Sequence, residues 1–134
     1  MNRTIKFRGK SADNRKWITG YYYHECGNTY IVEDRQSLSE TSRNVPYVVI
    51  PETVGQFTGL FDKNGKEIYE GDILHTVTFG FEPEEYTAII LYDNCRFQLS
   101  NGRNLFYFGQ SDLTKMDDTI VIGNIYDNPE LIIP

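Results

Sequence analysis

Chemistry at neutral pH would fall first to two histidines, His24 and His75, and two cysteines, Cys26 and Cys95. His24 and Cys26 are two residues apart, so a strand would set them on one face, with His75 available as a further zinc ligand. No CxxC or HxxxH spacing accompanies them, and no metal is expected. Either histidine has the chemistry of a general base, yet no serine or cysteine lies in a recognisable nucleophile motif. In a reducing compartment the two cysteines are expected as buried thiols rather than a disulfide. Asp62, Asn64, Lys66 and Glu67 sketch a calcium loop. Their glycine stands fourth rather than sixth, and Ile73 occupies the position that needs a glutamate, so the stretch reads as a hairpin turn. Glu82, Glu84 and Glu85 have the charge to hold a cation or a basic partner, but read as a solvated loop. Neither GxGxxG nor GxxxxGK[ST] occurs, which leaves the common nucleotide loops unsupported. The expectation is no catalytic residue, no cofactor and no metal.

Charge distribution is the more informative pattern. The chain carries 13 basic and 19 acidic residues, a net charge of −6. That average argues against nucleic acid and anionic membranes. The first twenty residues nevertheless hold Arg3, Lys6, Arg8, Lys10, Arg15 and Lys16 against Asp13 alone, a balance of +5. The remainder carries 7 basic and 18 acidic residues, a balance of −11. Phe7, Trp17, Tyr21, Tyr22 and Tyr23 lie within and after the basic stretch. Arg3, Lys6, Arg8, Lys10, Arg15, Lys16 and Trp17 are therefore the candidate interaction surface. Opposite charge on one molecule favours contact with its own body or with a second copy. Cations interleaved with aromatics also suit single-stranded nucleic acid, the alternative partner.

The elements that must position these residues are strands. A chain of 134 residues suits one compact unit with its own core. Aromatics make up 14% and glycine and proline are ordinary in number, so the chain reads as a folded domain. Residues 5–8 and 16–23 read as a hairpin, with Gly20 as a bulge in its second strand. Residues 33–44 are polar and read as a loop or short helix. Residues 45–51 form a strand with a proline near each end, hence an edge strand. A helical or 3₁₀ turn follows at 52–55. Asn64-Gly65 joins two β-prone runs in a hairpin. Further strands are expected at 73–79, 86–92 (central), 95–99, 105–108 and 120–126, with a helical turn at 111–116. Gly123-Asn124 reads as a bulge, and Asn128-Pro129 as the start of a short terminal turn. An offset of 50 residues lays Phe7-x-Gly9 on Phe57-x-Gly59, an echo that shared hairpin chemistry would also produce. Turns every 8–12 residues without a helical period indicate a small barrel or sandwich. The predicted organisation is a basic hairpin and polar loop over 1–44, then a β-barrel body over 45–134, in one compact unit.

Three segments resemble the YopX protein family: IKFRG at 5–9, VIPETVGQFTGLFDKNGKEIYEGDI at 49–73 and VIGNIYDNPEL at 121–131. They stand in the family's order and span nearly the whole chain. The resemblance implies a protein of phages and prophages of Gram-positive bacteria, with a mainly β fold and an SH3-like barrel component. It implies no enzymatic activity and supplies no catalytic residues. Its shared residues read as structural, with Asn64-Gly65 making a turn and Gly71-Asp72 re-aiming the chain. The expected protein is a non-enzymatic binding or assembly module and a homo-oligomer, with a phage or host protein as a further partner. The N-terminal residues lack the apolar run of a signal peptide and no window reaches a membrane span, so the expected location is the host cytoplasm, with no membrane partner.

Overall fold

The computed structural model describes residues 4–33, 46–77, 85–93, 95–100 and 119–132. The expected strand at 105–108, the turn at 111–116, most of the polar loop at 33–44, Arg3, Glu82 and Glu84 lie outside them. Ten strands are present: β1 (Phe7–Lys10), β2 (Trp17–Glu25), β3 (Asn28–Glu33), β4 (Pro46–Val48), β5 (Gly55–Phe61), β6 (Glu67–Tyr69), β7 (Asp72–Val77), β8 (Glu85–Asp93), β9 (Arg96–Leu99) and β10 (Ile120–Asn124). Two 3₁₀ turns, Pro51–Thr53 and Pro129–Ile132, complete the described structure. The protein is mainly β. Its strand orders are β4-β3-β2-β1-β5-β6 and β10-β7-β8-β9. Both orders are open, with the first and last strands of each not partners. The chain divides into two compact units, Met1–Phe57 and Thr58–Pro134, with the boundary inside β5.

In the first unit, β1 pairs with β2 from Phe7↔Gly20 to Lys10↔Trp17. β2 continues against β3 from Gly20↔Glu33 to Glu25↔Asn28. This register passes through Gly20 unbroken on both sides, so the expected bulge is absent. The glycine answers a different need, because a Cβ there would lie 1.9 Å from the Val32 carbonyl oxygen. β3 had no counterpart among the sequence-predicted strands. Only Cys26 and Gly27 join β2 to β3, with φ of 52° and 82°, the left-handed pair of a primed hairpin turn. A left-handed turn tip points its side chain to solvent, so Cys26 is exposed rather than buried. Cys95, φ 62°, is likewise exposed between the paired Asp93 and Arg96. The expectation of two buried thiols is corrected on both counts.

β4 is the end strand of its order and pairs with β3 through Tyr30↔Val48, Ile31↔Tyr47 and Val32↔Pro46. Its continuation bends back to the end of β1. The bridge Ser11↔Val49 is flanked by bonds from Ile50 N–H to the Lys10 carbonyl and from Ala12 N–H to the Val48 carbonyl. Residues 46–57, predicted as part of the body, thus pair with the N-terminal hairpin through β4 and the start of β5. Ile18, Ile31 and Val49, with Val54 against them, form this unit's core. Alternation places Phe7, Gly9, Ile18 and Ile31 on that side of the sheet.

The second unit packs Ile68, Leu74, Ala88, Ile90 and Leu99, with Leu60, Phe97 and Val121 against them. β8 is interior to its sheet, as its apolar sequence predicts. β10 bulges between Val121 and Gly123, which makes Ile122 the extra residue, one position before the predicted bulge.

Candidate interaction surface

The basic residues separate into two sets. Lys6, Arg8 and Lys10 alternate along the N-terminal strand and share the side of the sheet opposite the core. Trp17 and Thr19, their cross-strand partners on β2, share that side, as do Tyr21 and Tyr23 by alternation. The Arg8 guanidinium lies 4.6 Å from the Trp17 ring centroid, and the Lys10 ammonium 5.6 Å. Lys6 lies 5.1 Å over the Phe57 ring. Such contacts contribute about 0.5–1 kcal/mol each where solvent is near. The three cations are half-buried and their stems cover aromatic surface. Lys10 is fixed further by its backbone N–H, which donates to Thr53 Oγ1 at 2.9 Å.

Arg15 and Lys16 form the second set, exposed in the turn between β1 and β2. Arg15 has φ 60°, and its N–H donates to the Ser11 carbonyl. Lys16 N–H donates to Asn14 Oδ1 at 3.0 Å, and Asp13 N–H to Ser11 Oγ at 3.2 Å. Ser11 N–H closes the loop onto the Lys16 carbonyl. Of the seven predicted surface residues, the structure therefore unites four on one side, sets two in the adjoining turn, and leaves Arg3 outside its described residues.

Strands far apart in sequence enlarge this face. Tyr30 stands opposite Tyr23, their rings stacked 5.0 Å apart. Val48 stands opposite Tyr30, and Phe57 underlies Lys6. Sequence reading missed Tyr30 because it missed β3. The Cys26-Gly27 turn followed by Thr29-Tyr30-Ile31-Val32 was the available signal. Tyr21, 53% exposed, is the most open aromatic of this side.

The residues with chemistry are dispersed. His24 Nδ1 is 3.0 Å from Thr29 Oγ1, while Cys26 belongs to the turn rather than to the face of a strand. His75 lies in the other unit, 3.8 Å from Glu85 with both side chains open to solvent. Among the described residues, no group of three histidine, cysteine or acidic side chains is placed to hold a metal ion.

The segments that carry the family resemblance organise the second unit. Asp62 is buried, and Oδ1 accepts from the N–H groups of Asn64 and Lys66 at 2.9 and 2.8 Å. Its Oδ2 accepts from Val121 N–H at 3.0 Å, tying the hairpin loop to β10. Gly65, φ 82°, takes the left-handed position of that loop. Buried Asp72 accepts from Tyr69 N–H at 2.8 Å. Gly71 combines φ 90° with Tyr126 packed where a Cβ would stand, 3.2 Å away. Asn124 Oδ1 accepts from the N–H groups of Tyr126 and Asp127, turning the chain after β10. Each carboxylate or amide replaces water for backbone groups that a turn leaves without ladder partners.

The fold and face define a two-unit antiparallel β protein with an aromatic and basic sheet surface. The chain belongs to the YopX protein family, whose model matches residues 6–133. It is also similar to a solved structure, the protein EF1440 from Enterococcus faecalis. The two share 27% identity over 98% of this chain and 100% of that one, with a TM-score of 0.62. No curated protein matches. Among the described residues, no helix is long and apolar enough to cross a membrane.

Proposed function

We propose that this protein is a non-enzymatic binding and assembly module that contacts a second copy of itself through the basic and aromatic face of the first unit. The single observation that carries this reading is the gathering of Lys6, Arg8, Lys10, Trp17 and Tyr21 on one side of one sheet, away from the core. The partner surface is the acidic second unit of a neighbouring copy. The first unit's sequence holds eight basic and six acidic residues (+2), the second five and thirteen (−8). Opposite net charges favour head-to-tail contact between copies and make it sensitive to salt. The family resemblance supports a setting in phage or prophage biology, in the host cytoplasm, with a phage or host protein as a further partner. It also supports an SH3-like barrel component, toward which the Ser11↔Val49 bridge curls the first unit.

Light scattering after size exclusion tests the assembly reading. The expected mass exceeds one chain at low salt and falls toward 15.6 kDa as salt rises. A monomer mass at every concentration and salt sinks the proposal.

A second reading rests on Tyr21 and the Tyr23–Tyr30 stack continuing the line of cations, an arrangement suited to single-stranded nucleic acid. Titration with labelled oligonucleotides at low salt decides it. Absence of salt-dependent binding at micromolar protein eliminates it.

A further inference from the structure

We infer that the groove between the turn at residues 11–16 and β4 binds an extended, proline-containing peptide that presents a basic side chain. This site goes beyond the self-contact above and does not depend on it. The groove encloses about 610 Å³, lies wholly within the first unit and opens to solvent. That volume falls within the range of roughly 300–1,000 Å³ typical of ligand sites. Trp17, Pro46 and Tyr47 provide apolar and aromatic surface, while Asp13 and Glu33 provide carboxylates with Lys16 as the one cation.

Both walls are held in place by the fold. The turn is braced by the bonds from Ser11, Arg15 and Lys16 described above, and Asp13 is positioned by its own N–H on Ser11 Oγ. Opposite it, the register Ile31↔Tyr47 and the bond from Ala12 N–H to the Val48 carbonyl hold β4. A site formed in advance loses little freedom on binding, and a polyproline-type ligand is itself stiff. Proline rings suit shallow aromatic-lined grooves because they offer flat apolar surface without needing a deep pocket.

Charge selects among partners. The first unit is basic overall, yet this groove reverses the sign with two carboxylates against one ammonium. Bringing nucleic-acid phosphates beside Asp13 and Glu33 would meet like charge, whereas an arginine or lysine of a peptide meets opposite charge. The groove thus favours a basic peptide over nucleic acid.

Trp17 is the chain's single tryptophan, so its fluorescence reports on this wall alone. The test titrates the full chain with proline-containing twelve-residue peptides bearing arginine, glutamine or glutamate at one position, with oligothymidylate as a control. Calorimetry provides a second readout. The arginine peptide is expected to shift the Trp17 emission and saturate, the glutamine peptide to bind several-fold more weakly, and the glutamate peptide weakest. The double variant Asp13→Asn, Glu33→Gln should cost the arginine peptide about tenfold in affinity and spare the glutamine peptide. Tyr47→Ala should weaken both, and circular dichroism verifies that each variant is folded. The inference is overturned if no peptide binds at millimolar concentration by calorimetry, or if the double variant retains the preference for arginine. It is equally overturned if oligothymidylate competes with the peptide for the groove, or if the Trp17 shift follows protein concentration rather than peptide.

Discussion

The two units use polar and charged residues for opposite ends. In the second unit buried polar groups serve the backbone: Asp62 accepts three N–H groups and Asn124 turns the chain after β10. In the first unit the notable charges stand on the outside of a sheet, laid over Trp17 and Phe57. Glycines follow the same division. Gly20 admits a neighbouring strand's carbonyl at close range, while Gly65 and Gly71 supply left-handed turns. The contrast separates residues that hold the fold from residues available for contact. Most of the long 49–73 resemblance and all of the C-terminal one fall in the unit where buried polar groups hold the turns.

The strongest way to break this contrast is Asp62→Ala. It leaves three backbone N–H groups without their acceptor, and a loss of about 3–5 kcal/mol is expected in urea unfolding. A loss below 1 kcal/mol would remove Asp62 from the fold's organisation. Gly20→Ala comes next, because the clash involves backbone rather than a flexible side chain. It should cost about 3 kcal/mol and expose the amides of β2 and β3 to hydrogen exchange. Unchanged protection there would show that the strands separate at little cost.

Gly123→Ala should cost less, about 1–2 kcal/mol, since its new Cβ meets the Asn128 side chain, which has room to rotate. Thermal unfolding measures it, and a loss equal to that of Gly20→Ala would contradict the distinction between backbone and side-chain clashes. The smallest stability effect is expected from Lys6→Gln with Lys10→Gln, about 0.5–1 kcal/mol in total from the cation–aromatic contacts. The same double variant should abolish the salt-dependent mass change in light scattering. Retained assembly would assign those cations to ring packing alone.

Legibility in the sequence followed locality. Asn64-Gly65, the 3₁₀ turn after Pro51 and the Asn128-Pro129 start each depend on a few adjacent residues, and each is present. β3 was missed because a cysteine occupies the first left-handed position of its turn, where asparagine or aspartate would have signalled a hairpin. The β10 bulge was displaced by one residue, because the extra residue is defined by the partner strand and not by the glycine beside it. The candidate surface was legible as a list of cations and aromatics. Their division into a sheet face and a turn was not, since it depends on register.

By itself the sequence determined the β class, the family, the positions of most turns and the unequal spread of charge. These follow from alternation, turn chemistry and composition, all of which act over short spans of chain. Tertiary structure alone decided that Tyr30 stacks on Tyr23, that Val121 reaches the Asp62 carboxylate and that Phe57 lies beneath Lys6. Those contacts join residues between 7 and 59 positions apart. Their physical basis is strand pairing, in which a shift of one residue would carry every side chain to the opposite face.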